Sequence, residues 1–178
     1  TNSHWSAAEL HLRRLHDYVN TYNRLRQSGF TGRVRYEAKL QEYYYTILAD
    51  LVTLYTAIAD AHRRAGNLEG ARDNLNTVAG VHALVAAQSP AFSPDQRMAR
   101  YRALQVYFEI GRLANDAASN ERLTHAWNQL RNTYGSRRPD SVVLDGDPAY
   151  DELMDALFEQ VWALCRERNL PVRAPEWQ

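Results

Sequence analysis

This 178-residue sequence has one cysteine, Cys165, so no disulfide can form within the chain. It also lacks any Asn-x-Ser/Thr glycosylation site and any signal-peptide pattern. Together these absences favour a reducing compartment, and we expect a cytoplasmic protein. No apolar run approaches the roughly 20 residues that a membrane-spanning helix needs, so the sequence predicts no membrane association.

Motifs that carry chemistry are missing as well. The sequence contains no H-E-x-x-H zinc motif, no G-x-S-x-G nucleophile motif and no glycine-rich phosphate loop. Glu121 and His125 lie four residues apart, but one such pair cannot hold a metal without ligands from elsewhere. Cys165 has no neighbour in sequence that would activate it, so we expect a buried, unreactive thiol. The sequence therefore predicts a protein that is not an enzyme and has no cofactor or metal.

The formal net charge is zero, but the charges are unevenly distributed. Residues 1–138 carry 18 Lys and Arg against 12 Asp and Glu, whereas residues 139–178 carry 3 against 9. Affinity for nucleic acid rises with the number of phosphates neutralised, so zero net charge argues against a nucleic-acid partner. The sequence leaves open whether the acidic end docks on the basic body or presents its charge to a partner.

What the sequence does contain is strong helical periodicity. Between Tyr36 and Ala65, large apolar residues recur every three or four positions without Gly or Pro, which aligns them on one face of a helix. The members of this stripe are Tyr36, Leu40, Tyr43, Ile47, Leu51, Leu54, Ile58, His62 and Ala65. Thirty helical residues would extend roughly 45 Å, so we expect a central helix, about residues 33–64, with the other helices packed along it.

Five further helices are predicted from apolar periodicity and capping signals. They span about residues 6–27, 68–88, 94–118, 120–134 and 148–168. The apolar face of the last helix is expected to contain Leu153, Leu157, Val161 and Leu164. We therefore predict a single all-α domain over residues 1–178, arranged as a six-helix bundle or short α-solenoid. Its halves, residues 1–88 and 94–168, are joined by a Pro/Ser loop at 89–94, and residues 169–178 form an extended tail.

The junction between the second and third predicted helices resembles a tetratricopeptide repeat. The matching residues are Tyr55, Ile58, Ala59, Gly66, Asn67, Leu68, Glu69, Ala71, Leu75 and Val78. In that family small residues occupy the contact between the two helices of a hairpin, which would make Ala59 and Ala71 the close-contact pair. The resemblance implies a non-catalytic scaffold that binds a peptide or a partner helix in a concave groove.

Two features suggest a surface for such a partner. The first is a run of three tyrosines at positions 43–45, which covers about 200° of a helix, so at least one must be exposed or at an interface. The second is a basic segment around a Gly-flanked loop, which suits an acidic protein surface. Our first hypothesis is a module that binds a protein or peptide partner, or a second copy of itself. Its candidate residues are Tyr44, Tyr45, Arg24, Arg26, Phe30, Arg33 and Arg35.

Two alternatives use other features of the sequence. His62 and His82 fall on the apolar stripes of adjacent helices, where most histidines are core residues with one satisfied hydrogen bond. If they are functional instead, the bundle would enclose a small apolar ligand, as helical sensor domains do, in a pocket near His62, His82 and Tyr101. The third interpretation is a nucleic-acid-binding accessory protein that uses the basic segment and its aromatic residues.

Overall fold

The protein is all-α, as predicted, with its helices packed into a bundle. The structure is a computed structural model that describes residues 33–91, 93–135 and 148–175, together with seven isolated positions between 10 and 24. Its complete helices are α1 (Arg33–Arg64), α2 (Leu68–Gln88), α3 (Pro94–Leu113), α4 (Ala117–Tyr134) and α5 (Pro148–Glu167). The bounds of α1 and α2 agree with the prediction to the residue, because apolar periodicity and the Gly66 break define them clearly.

The described ranges contain five complete helices where the sequence predicts six. The additional predicted helix, about residues 6–27, lies mostly outside the residues that the structure describes. The seven positions that are described there are all helical and all exposed. They are Leu10, Arg13, Arg14, Asp17, Asn20, Thr21 and Arg24. Their spacing places them on one face of a helix.

The turn between α1 and α2 is fixed by close polar contacts. Gly66 has a φ of +75°, in the left-handed region that favours glycine. Asn67 caps α2, because its Oδ1 accepts a hydrogen bond from the Gly70 amide at 2.9 Å. Its Nδ2 lies 3.0 Å from His62 Nδ1. A Cβ at position 70 would lie 2.7 Å from that imidazole nitrogen, so only glycine fits this crossing without a shift.

The end of α3 differs from the sequence prediction. The sequence predicts that this helix continues to about residue 118, but it ends at Leu113, and α4 begins at Ala117. Asp116 interrupts the helical run, because its Oδ1 accepts a hydrogen bond from the Ser119 amide at 2.8 Å and caps α4. Arg72 of α2 binds the same carboxylate at 2.5 Å. The Ser119 hydrogen bonds and the Arg72 charge hold the pKa of Asp116 below its usual range, which keeps the cap ionised.

The largest apolar core lies between α3, α4 and α5. Its buried members are Leu104, Phe108, Leu123, Ala126, Trp127, Leu130, Tyr134, Tyr150, Met154, Leu157, Phe158, Val161, Trp162 and Cys165. The expectation that Cys165 is buried is confirmed, and burial raises the pKa of its thiol to about 11. The predicted inward position of Leu153 is wrong, since its side chain is 38% exposed. The buried stripe of α5 runs through Met154 and Phe158 instead.

Each helix packs mainly on the next helix in sequence, and α5 also contacts α3. Smaller clusters connect α1 to this array, and one of them joins Ala59 of α1, Leu75 of α2 and Ile110 of α3. Ala71, the expected partner of Ala59, is also buried. At the crossing of α3 and α4, a Cβ on Gly111 would lie 2.9 Å from Leu123 Cβ. Small residues therefore allow close approach at both crossings.

Candidate binding groove

One concave feature of the described surface is an open groove lined by α1, α2 and α3. Its cavity volume is about 780 Å³. The aliphatic part of its lining comes from all three helices and from the residues that follow α2: Leu48, Ala49, Val52, Val81, Val85, Pro90, Met98 and Ala99. No described residue fills it. Val52, Val81, Val85 and Met98 are partly exposed, whereas Leu48 and Ala99 are buried at its base. We refer to this feature as the α1–α3 groove.

Helical periodicity explains why these residues share one surface. On α3, residues 95, 98, 99 and 102 recur at intervals of three and four, so their side chains fall on a single face. On α1, residues 41, 45, 48, 49, 52 and 53 do the same. The α1–α2 hairpin buries an overlapping face of α1, since the groove residue Leu48 belongs to the same buried cluster as Ile47 and Leu51. The apolar stripe of α1 therefore contributes both to the core and to one wall of the groove.

His82 of α2 is the most unusual polar group in this groove. Its side chain is only 9% exposed, and within the described part of the chain neither ring nitrogen has a hydrogen-bond partner. Burial, and secondarily the nearby charge of Arg102, lower the pKa of His82 below its ordinary value of 6.5. The imidazole is therefore neutral at pH 7 and offers one donor and one acceptor.

The neutral state of His82 predicts a pH dependence of stability. Unfolding releases this histidine to an ordinary pKa, so below about pH 6.5 the unfolded chain binds more protons than the folded chain. His82 therefore contributes stability at neutral pH that is progressively lost as the pH falls below 6.5. Lowering the pH from 7.5 to 5.0 should therefore reduce the free energy of unfolding of the wild type by more than that of His82→Gln. Urea titration of both proteins at the two pH values measures this difference.

The control for this prediction is His125→Gln, which replaces an exposed histidine on α4. The charged groove residues on α3 are Asp95 and Arg102, and the titratable groove residue on α1 is Tyr45. A difference between wild type and His82→Gln that is the same at both pH values would contradict the prediction.

The structure places the two candidate tyrosines on α1 with different surroundings. Their ring centroids lie 5.8 Å apart in an edge-to-face arrangement. Both are half-buried against a small cluster that contains Ile47, Leu48 and Leu51. Tyr45 also lines the α1–α3 groove, whereas Tyr44 does not. Of the two tyrosines predicted at a partner surface, only Tyr45 therefore lies at this groove.

The three residues expected around an internal ligand do not line one cavity. His82 lies in the wall of the groove. His62 lies in the last turn of α1, where its Nδ1 is paired with Asn67 at the start of α2. Tyr101 packs against the core between α3, α4 and α5. His62 is thus an end-of-helix residue with a satisfied hydrogen bond, whereas His82 is buried without one.

The predicted basic surface lies largely beyond what the structure describes. Arg24 is helical and exposed. Arg26 and Phe30 are outside the described residues, and for Arg33 and Arg35 only the backbone at the start of α1 is described. This surface therefore stays a prediction.

Sequence reasoning missed two charged residues of the groove, Asp95 and Arg102. Both are exposed and both lie on α3. Their spacing of seven residues, with Met98 and Ala99 between them, places all four on the same helix face. That signal was present in the sequence, but the sequence does not show which helix face borders a groove.

Metal and membrane sites are not evident in the described ranges. No group of three or more His, Cys, Asp or Glu side chains there is arranged to hold a metal ion. No helix there is both long and apolar enough to cross a bilayer. No protein-family model, curated protein or solved structure matches this chain.

Proposed function

We propose that this protein is a non-catalytic helical interaction module that binds a segment of another protein in the α1–α3 groove. The observation that carries the proposal is an open, apolar-walled groove that three consecutive helices form and no described residue fills. Exposed apolar concavities of this kind are typical of helix-in-groove recognition. A cytoplasmic location belongs to the proposal, since the sequence has one cysteine and that thiol is buried.

Features of the scaffold support the same function. Consecutive helices pack in order along the chain, and small residues such as Ala59, Ala71 and Gly111 let them approach closely. Arrays of helical hairpins built in this way present extended concave surfaces to peptides. The resemblance of the α1–α2 junction to a tetratricopeptide repeat is part of this proposal.

The small-ligand alternative has less support. An apolar ligand is usually held in a cavity that encloses most of its surface, whereas the α1–α3 groove is open to solvent. His62 and Tyr101, which would line such a cavity, lie elsewhere in the fold. The observations therefore favour a protein segment over an enclosed small molecule.

A display library of random peptides, selected against the immobilised full chain, tests the proposal. Ala49 is exposed and lines the groove, so Ala49→Glu places a charge there. Ala57→Glu is the matched control, because Ala57 is an exposed alanine of α1 outside the groove. We expect selected peptides to bind Ala49→Glu at least about tenfold more weakly than wild type, because desolvating an unpaired carboxylate is unfavourable, and to bind Ala57→Glu normally.

Equal urea midpoints for the two variants would show that both are folded. Recovery of no peptide above background, or of peptides that bind both variants equally well, would contradict the proposed function.

A further inference from the structure

The charged residues of the α1–α3 groove are arranged as a pair of opposite sign. Asp95 and Arg102 are seven residues apart on α3, which is close to two full turns and about 10 Å along the helix. Both are exposed and line the groove. Within the part of the chain that the structure describes, neither forms an ion pair or a side-chain hydrogen bond. The groove thus has a negative end and a positive end, each without an internal partner.

Between the two charges the groove is apolar. Met98 and Ala99 lie between Asp95 and Arg102 on the same face of α3, and Leu48 and Val81 line the groove from the other two helices. An occupant that matches this surface has apolar side chains in its middle and opposite charges about 10 Å apart. Charge complementarity of this kind determines the orientation and specificity of a bound segment more than its overall affinity.

His82 adds a hydrogen-bonding group near the positive end. The charge of Arg102 contributes to lowering the pKa of His82. No described residue forms a hydrogen bond with the imidazole, and its ring nitrogens are not among the buried side-chain atoms that lack a partner, so they stay in contact with solvent. A carboxylate bound to Arg102 would offer an acceptor to the His82 N–H.

We infer that the α1–α3 groove binds an amphipathic helix. Its charged residues, one acidic and one basic, lie at positions i and i+7, and its apolar residues lie between them at i+3 and i+4. The inference rests on the proposed function and specifies its partner. The acidic side chain pairs with Arg102 and accepts a hydrogen bond from His82, and the basic side chain pairs with Asp95. An extended segment would instead place its two charges about three residues apart.

A library of 15-residue, alanine-rich helical peptides, randomised at positions i, i+3, i+4 and i+7, tests this partner directly. Selection on the full-length chain is expected to enrich Asp or Glu at one end position, Lys or Arg at the other, and Leu, Ile, Val or Met between them. The order of the two charges along the peptide then reports its direction relative to α3. In the random-peptide library, enrichment of an acidic and a basic residue three positions apart would instead indicate an extended occupant, and would overturn the inference of a bound helix.

A charge-exchange experiment assigns the acidic position of the selected peptide. Arg102→Glu is expected to weaken that peptide about tenfold, since it replaces attraction by repulsion. A second peptide, in which the acidic residue is replaced by lysine, is expected to bind the Arg102→Glu variant with most of the lost affinity restored. Arg100→Glu is the matched control, because Arg100 is an exposed arginine of α3 that lies outside the groove. It should leave binding within about twofold of wild type.

The outcomes separate this inference from the proposed function. If selected peptides are blocked by Ala49→Glu but show no charge preference and ignore Arg102→Glu, the groove binds protein segments and the inference is wrong. If no peptide depends on Ala49, the proposed function itself fails. Displacement of the selected peptide by an equal concentration of decanoate would show that the groove favours a free aliphatic carboxylate, and would also overturn the inference.

Discussion

Replacing Trp127 by alanine should lower the free energy of unfolding by about 3–5 kcal/mol, the usual range for removing a fully buried aromatic side chain. Trp127 of α4 is 0% exposed. Its ring stacks on Trp162 of α5 with centroids 4.6 Å apart and packs against Phe158 at 4.9 Å. Its Nε1 donates a hydrogen bond to the Arg173 carbonyl at 2.9 Å. One side chain therefore connects α4, α5 and the C-terminal segment.

Urea denaturation followed by circular dichroism measures this loss, and the melting temperature should fall by roughly 10 °C for a chain of this size. Trp127→Phe is the informative second variant. It keeps an aromatic ring against Trp162 and Phe158 but leaves the Arg173 carbonyl without its donor, so we expect a loss of about 1–2 kcal/mol. A loss below about 1 kcal/mol for the alanine variant would mean that the core between α3, α4 and α5 is not packed as described.

The second large effect is expected at Arg168, immediately after α5. Its Nη1 lies 2.7 Å from the Gly111 carbonyl, 2.8 Å from the Ala114 carbonyl and 2.8 Å from Asn120 Oδ1. The last carbonyls of a helix lack partners within the helix and form the negative end of its dipole. Arg168, which follows α5, therefore connects the C-terminal part of the chain to the end of α3 and the start of α4.

Arg168→Met retains most of the apolar stem but removes these charge-assisted hydrogen bonds, and should lower the free energy of unfolding by about 2 kcal/mol. Arg166→Met is its matched control, because Arg166 is exposed in the last turn of α5. We expect that control to change stability by no more than about 0.5 kcal/mol. Equal effects of the two substitutions in urea denaturation would show that the contacts of Arg168 are not stabilising.

Much of the helical framework could be predicted from the sequence because it depends on local signals. Gly66 and Asn67 end α1 and cap α2, and Ser93 with Pro94 begins α3. The end of α3 could not be predicted from such signals. Residues 114–118 are rich in alanine and suit a helix. The break depends on an Asp116 cap that Arg72, 44 residues earlier, supports through the fold.

The candidate groove was only partly predictable for a related reason. The sequence indicated Tyr45 and His82 as notable, but it assigned them to two different hypotheses. The fold brings both to one groove. The spacing of Asp95 and Arg102 was visible, yet their lack of internal partners depends on which side chains the neighbouring helices direct toward them. Pairing between distant residues is a property of tertiary packing, which local periodicity does not specify.

The succession of helices, each packed on its predecessor, also bears on how the chain folds during synthesis. Most native contacts lie between helices that leave the ribosome one after the other. The α1–α2 hairpin can therefore form before α3 has been translated, and each later helix adds to a preformed surface. Folds dominated by such local contacts form rapidly. The α1–α3 groove would then be completed only when α3 docks, while α4 and α5 are still to be synthesised.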